Sequence, residues 1–506
     1  MKTSRFKYSL LLLLFSPFIA SATGPSISGV EEPVAEHCEQ SEINAITDPK
    51  ERFIFAFKCG QGLFSARFNA LDGGGANVGD GNMFTGVPRA DLNGPGEWAN
   101  HIPTRRNGPD GEACVLCHAE PTTGSGANAL NIVLDVTNSA DLSLFFTRNT
   151  TSLLGGGAIQ LLAEEMTQDL LKIRDAARSK ACAIRSRVRA NLVTKGVSFG
   201  SIDVACNPSQ DISRIEGVDD DLIIRPFGWK GIQASMRDFN QGATHNDIGM
   251  QPEETIGANV DGDFDGVVRE LFVGDMTGLA VYQTAQARPV TRLELADLGL
   301  LEELGFDPLV PGQRESIERG EHAFNVIGCN SCHTPKMILE NTVFTEPSQF
   351  ETHRDDIFPS GETALSLGVD PNNPVTFDLA NDIIDNRFIV NGQEVALGNL
   401  EVDSHNRGIV RLFSDLKRHD MGPGLAESVD DEGIPASVFL TKELWGVSST
   451  GPYLSNGAAG TLSEAIIAHG GEATIPRNKF LLLSSSLQAD IVEFLDNLLL
   501  VQVTPE

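Results

Sequence analysis

The chain has 506 residues, 41% of them apolar, with 50 Gly and 25 Pro, and its 38 Lys plus Arg against 69 Asp plus Glu give a net charge of −31. That length corresponds to roughly two or three domains, and the apolar share supports a sizeable core and argues against disorder. A surface this acidic repels phosphate backbones and anionic lipid, which excludes nucleic-acid binding and a basic membrane anchor.

In chain order, Lys2, Arg5 and Lys7 precede a short apolar run over residues 10–15, followed by Ala20-Ser21-Ala22. This order of charge, apolar run and small residues predicts an export signal, residues 1–22, cleaved near Ala22, and hence a periplasmic protein. No later stretch approaches the ~18 apolar residues of a membrane span, so none is expected in the mature chain. Residues 23–110 are Gly-rich, with Gly73-Gly74-Gly75 and several turn signals, and read as irregular. Ile159, Leu162, Met166, Leu170 and Ile173 recur at helical spacing, so 157–192 reads as one or two helices with an ordinary core stripe. Residues 292–305 and 313–328 also read as helices, and Asp307-Pro308 and Pro311-Gly312 between them mark a domain boundary. Residues 340–410 predict long loops with short strands, and 461–469 and 486–500 close the chain as helices.

Two of the chain's segments share one pattern, Cys114-Val-Leu-Cys117-His118 and Cys329-Asn-Ser-Cys332-His333. With these Cys and His frequencies, chance predicts only about 0.0025 such matches. The spacing suits covalent heme attachment: two thiols reach the two vinyl groups, and the next histidine turns under the macrocycle as an iron ligand. A redox dithiol does not require the histidine, and a zinc site would have to recruit both motifs across about 215 residues. The expected cofactors are two covalently bound c-type hemes. The expected fold is mainly α: two cytochrome c-like heme domains, 23–308 and 309–506, with long irregular loops and a few short strands.

Cys38, Cys59, Cys182 and Cys206 remain. Outside the cytosol they invite disulfides, and pairing nearest neighbours closes the shortest loops, although free buried thiols are the alternative.

Further segments resemble the bacterial diheme cytochrome c peroxidase superfamily, most of all its diheme oxidoreductase branch. They are Arg148-Asn149 with residues 153–157, Phe227-Gly228-Trp229-Lys230-Gly231, His419-Asp420-Met421-Gly422, Glu443-Leu444-Trp445-Gly446, Gly451-Pro452-Tyr453-Leu454, and 461–473 including His469-Gly470-Gly471-Glu472. The similarity is nearly continuous from about residue 300 onward and patchy before it. The resemblance implies that the C-terminal heme receives electrons and the N-terminal heme meets peroxide or another small oxidant, with Trp229 on the route between them. It places the sixth ligand of the C-terminal iron at His469, where peroxidases usually have Met, and a histidine there lowers the potential. Met421 is a second candidate ligand, and His419 reads as a pocket residue. Residues 119–136 hold neither His nor Met, so the first iron is expected to be open.

Where the superfamily has a catalytic Glu, about 20 residues after the tryptophan, this chain has His245-Asn246-Asp247. Asp247 or His245 is therefore the expected proton shuttle. Ser455 replaces the usual histidine of a His-Asp-Gly loop, which alters coupling between the hemes. Asp261, Asp263 and Asp265 alternate ahead of Gly266 in the manner of a calcium loop, but position 12 is Phe272 and Glu270 fits only in a shifted register. Calcium and a solvated acidic turn are the two readings.

The sequence therefore predicts an exported diheme oxidoreductase that takes electrons from a small donor protein or cytochrome and reduces peroxide or a related oxidant. The alternatives are an electron carrier with both irons six-coordinate, or an oxidase of an organic or protein substrate.

Overall fold

Asp48 accepts a hydrogen bond from the Glu51 amide at 2.9 Å, and Pro49 occupies the first turn, so a helix, Pro49–Ser65, starts inside the stretch whose glycines predict only loops. A computed structural model describes this chain over residues 32–75, 100–109, 111–119, 131–137, 141–207, 209–354 and 362–503. The predicted export signal, residues 1–22, lies outside the described residues, as does part of the Gly-rich leader. Residues Pro33–Glu506 form one compact unit.

Two helix crossings organise this unit. Pro49–Ser65 packs on Val273–Thr284, and Gln313–Ile327 packs on Ser485–Asp496. Both depend on a missing side chain. A Cβ on Gly60 would stand 2.0 Å from the Gly278 carbonyl oxygen, and one on Gly320 would stand 1.8 Å from that of Asp490. Four residues after each of these glycines comes a buried phenylalanine, Phe64 and Phe324. At helical spacing that side chain lies over the crossing. The first crossing sits in an apolar core with Phe53, Phe57, Leu162 and Tyr282, and the second in a separate core with Phe413, Phe480 and Phe494. A third, smaller core gathers Val290, Leu295 and Leu499.

The expectation of a mainly α fold is corrected. The chain is 35% helix and 16% strand, and the strands are spread over many small sheets. They are two to eight residues long and pair mostly as local antiparallel hairpins, too short to carry a periodic signal over the irregular segments around them. The helix predicted over 157–192 ends at Ile184, where Arg185 turns left-handed at φ 53°. Beyond it, Val188–Thr194 and Val197–Val204 form a hairpin. Its turn residues Lys195 and Gly196 both have positive φ, 48° and 84°, the twist a tight hairpin needs. Helices do form at Gln313–Ile327, Leu462–Ala468 and Ser485–Asp496, near their expected places. Cys38–Cys59 and Cys182–Cys206 are disulfides, the nearest-neighbour pairing. No described helix is long and apolar enough to cross a membrane.

Candidate functional site

Each Cys-x-x-Cys-His motif opens onto its own cavity. The N-terminal cavity, about 280 Å³, is lined by Cys114, Cys117 and His118. The C-terminal cavity, about 270 Å³, is lined by Cys329, Cys332 and His333. Two separate cavities remove the reading in which both motifs ligate one zinc ion. None of the four motif cysteines is in a disulfide. Burial, reinforced by Cys117, pushes Cys114 up to about 12, and burial pushes Cys329 up to about 12 as well, so both thiols stay neutral at physiological pH.

The two motifs stand in matching surroundings. Phe64 lies 6.1 Å from His118 between ring centres at 48°, and Phe324 lies 6.2 Å from His333 at 50°. Each motif histidine is thus set against the phenylalanine of a glycine-crossed helix. In the C-terminal half the helix runs directly into its motif. In the N-terminal half the helix ends at Ser65 and the motif begins at Cys114, so the pairing is invisible to local reading.

The C-terminal cavity brings together two imidazoles. His333 donates its Nδ1–H to the Phe413 carbonyl at 3.0 Å, and His469 donates its own to the Ala465 carbonyl at 2.7 Å. A carbonyl on Nδ1 fixes the tautomer and leaves Nε2 as a metal donor. Neither Nε2 has a hydrogen-bond partner among the described residues. The ring centres are 6.4 Å apart. That separation leaves room for one metal ion between the two rings, which would then be held by both. Burial, with His469 beside it, lowers His333 to about 4, and burial lowers His469, keeping both rings neutral as ligands must be. Thr461 and Glu464 form a reciprocal cap at the start of the helix Leu462–Ala468, and His469 falls at its end. There Gly471 packs so closely on Asp420 that a Cβ would stand 2.0 Å from its carbonyl oxygen.

Met421 and His419 also line the C-terminal cavity. Both His419 ring nitrogens are occupied, by Asp415 and by Glu472, each at 2.8 Å. Burial opposes its charge, but the Asp415 carboxylate and Cys332 outweigh this and hold His419 up at about 11. It is a fixed cation beside the pocket.

The Trp229 indole donates to the Asn149 carbonyl at 2.7 Å. Trp229, Asn149, Thr150 and Thr151 line both cavities, so this indole belongs to the wall between them. Its neighbour Lys230 is fully buried, donating to the carbonyls of Pro435, Ala436 and Val438 at 3.1, 2.8 and 2.9 Å. Lys230, Arg106 and Arg148 face the N-terminal cavity and are held by Glu427 and Asp431. These cations suit a ligand bearing carboxylates. Composition gave no sign of such a basic wall in so acidic a chain.

Of the two expected proton shuttles, Asp247 lines the N-terminal cavity and His245 does not. Both lie on a single π-helical turn, Thr244–Ile248, a geometry frequent at functional sites. Asn107 donates to the Asp247 carboxylate at 2.6 Å. Burial nevertheless pushes Asp247 up to about 6, against Asn107 and Arg105. His245 is turned to the Pro103 carbonyl at 2.8 Å, and burial holds it neutral. Asn107 carried no sequence signal, since its partner lies 140 residues away.

The acidic loop has Asp261, Asp263 and Asp265 with carboxylate oxygens within 4.8 Å of one another. Asp261 accepts the amides of Phe264 and Gly266, and Asp265 accepts that of Val267. Asp263 is fully buried, and neither of its oxygens has a hydrogen-bond partner among the described residues.

Residues 386–498 match the family described as "Di-haem oxidoreductase, putative peroxidase". The match covers the second half of the C-terminal site, including Met421 and His469, and it makes that region similar to diheme oxidoreductases. No curated protein matches the chain. Among solved structures, hydrazine synthase of Kuenenia stuttgartiensis, pressurized with xenon, aligns at 14% identity over 94% of this chain and 99% of that one, with a TM-score of 0.33.

Proposed function

We propose that the protein is an exported diheme c-type cytochrome oxidoreductase, taking electrons at the C-terminal site and reducing peroxide or a related small oxidant at the N-terminal site. The observation that carries this reading is the matched pair of motif sites, each with its Phe–His contact and each walled by Trp229. Hemes, when bound, supply redox-active iron at both places. Cys114 and Cys117 would anchor one through thioethers, with His118 as its nitrogen donor, and Cys329, Cys332 and His333 would do the same for the other. His469 would supply the second donor to the C-terminal heme, in preference to Met421, because its ring lies 6.4 Å from that of His333 with its Nδ1 already held by a carbonyl. Asp247, which burial brings up to about 6, is poised to take a proton from the oxidant and return it in the cavity it lines. Trp229 spans the wall and couples the two sites. Calcium, with Asp261, Asp263 and Asp265 as ligands, completes the proposed cofactor set. The two heme sites belong to domains 23–308 and 309–506, the donor is a small protein or cytochrome, and the signal is removed near Ala22.

Heme stoichiometry and cyanide binding test the reading. Denaturing pyridine spectra are expected to give two covalent hemes per chain, and cyanide is expected to shift one of them. One heme per chain overturns the proposal. Two low-spin hemes indifferent to cyanide and peroxide replace the enzyme with an electron carrier.

A further inference from the structure

Both imidazoles of the C-terminal cavity are tied to one stretch of chain, residues 413–422. At its start the Phe413 carbonyl accepts the His333 Nδ1–H at 3.0 Å. Two residues on, Asp415 accepts from His419 Nε2 at 2.8 Å, and His419 Nδ1 donates to Glu472 at 2.8 Å. Glu472 stands three residues after His469. Both ring nitrogens of His419 thus face carboxylates, which only accept, so each nitrogen carries a hydrogen. The stretch is held firmly where it makes these contacts. Phe413 and Leu416 are left-handed at φ 53° and 54°, conformations that persist only where the surroundings impose them. The Ser414 hydroxyl donates to the Thr441 carbonyl at 2.6 Å and accepts the Leu416 amide at 3.0 Å. Arg418–Asp420 then pairs antiparallel with Val438–Leu440.

The far end of the stretch grips the loop after His469 through backbone as well as through charge. The second Glu472 oxygen accepts the Asp420 amide at 2.9 Å. A Cβ on Gly470 would stand 2.8 Å from the Met421 carbonyl oxygen, and one on Gly471 would stand 2.0 Å from that of Asp420. An ion pair with an exposed partner contributes little by itself. Here the cation, His419, is 8% exposed, its other carboxylate, Asp415, is 2% exposed, and Glu472 holds a backbone amide in addition. Charge-assisted hydrogen bonds in such surroundings are among the stronger ones.

We propose that residues 413–422 form a bracket that sets the spacing of His333 and His469, with Glu472 as the positioning residue that keeps His469 seated. The inference deepens the assignment of His469 as second donor and rests on it. His469 falls at the end of the helix Leu462–Ala468, so the loop that follows takes its place from its contacts with 419–422 rather than from helical hydrogen bonds. With that loop gripped, both imidazoles stay committed to the C-terminal site, and a small oxidant finds no open position there. The bracket therefore serves specificity: it reserves the C-terminal site for electron entry and leaves substrate to the N-terminal cavity.

The test is stopped-flow binding of carbon monoxide to the reduced full-length holoprotein, comparing Glu472→Ala, Glu472→Gln and His469→Ala with the unmodified protein. Carbon monoxide reaches the C-terminal heme only while His469 is displaced, so its rate there reports local opening of the loop. Glu472→Ala is expected to raise that rate by about tenfold or more, the scale of a lost charge-assisted hydrogen bond, with the N-terminal phase unchanged. Glu472→Gln keeps an oxygen for the Asp420 amide and is expected to fall between Glu472→Ala and the unmodified protein. An unaltered rate in Glu472→Ala, beside fast binding in His469→Ala, overturns the bracket and leaves His469 as the ligand. An unaltered rate in His469→Ala as well overturns the ligand assignment and the bracket with it. If Glu472→Ala takes up no heme, Glu472→Gln decides alone, and a rate equal to that of the unmodified protein overturns the bracket.

Discussion

The Trp229 indole donates to the Asn149 carbonyl at 2.7 Å, and both residues are on the walls of both cavities. One aromatic ring, fixed in direction by one hydrogen bond, is therefore the shared boundary of two sites whose motifs lie about 215 residues apart.

Trp229→Phe keeps an aromatic ring but loses the bond to Asn149, at a cost of about 1 kcal/mol in stability. Both hemes are expected to load normally. Turnover with an electron donor is expected to fall tenfold or more, and stopped-flow reduction should show the C-terminal heme reducing at the normal rate while the N-terminal heme lags. Equal rates at both hemes would remove Trp229 from the route.

On the proposed assignment, His469→Met exchanges a nitrogen for a thioether donor at the C-terminal heme, which raises its potential. A spectroelectrochemical titration is expected to show one of two midpoints moving up, with the other unchanged. His469→Ala is expected to turn the same heme high-spin. If neither change alters the C-terminal heme, Met421 takes over as the ligand to test.

Burial holds the Asp247 carboxyl up at about 6 in the folded chain, above the 3.8 of an ordinary aspartate. Because the folded pKa is the higher one, the folded state binds the proton more tightly, and stability falls as pH rises from about 3.8 to about 6. Asp247→Asn removes that slope and is expected to raise stability at pH 7 by roughly 2 kcal/mol, the order set by a shift of this size. Urea denaturation between pH 4 and pH 7 measures the first effect. The activity of the variant should fall by about 100-fold, the lower range for a positioned proton shuttle, and lose its pH dependence near 6.

Gly320→Ala places a methyl group 1.8 Å from the Asp490 carbonyl oxygen, so the helices Gln313–Ile327 and Ser485–Asp496 must separate. A loss of about 1–3 kcal/mol is expected, as for overpacked cores, together with a change in the C-terminal heme spectrum alone. Gly60→Ala is expected to do the same at the N-terminal site, where the Cβ would meet Gly278 at 2.0 Å. Circular dichroism melts and pyridine spectra of the two variants check whether each crossing serves only its own site.

Some of this was legible in advance because its signal is local. Two Cys-x-x-Cys-His motifs announce themselves by chemistry and rarity, and the four leftover cysteines pair with their neighbours because short loops close most easily. Helix starts such as Thr461 with Glu464 are likewise written within a few residues. Strand content was not legible. Short antiparallel hairpins have too few alternating positions to stand out among Gly-rich loops, and that is why the mainly α expectation failed.

The sequence by itself thus supplied the two Cys-x-x-Cys-His motifs, a preference for nearest-neighbour disulfides and the acidic loop, all through residues near one another along the chain. Only the tertiary structure decided that the helix Pro49–Ser65 serves a motif beginning at Cys114, that His469 faces His333, and that Asp247 enters the cavity while His245 turns to Pro103. Those choices are made by glycine-close helix crossings and by hydrogen bonds spanning more than a hundred residues, whose partners no local pattern specifies.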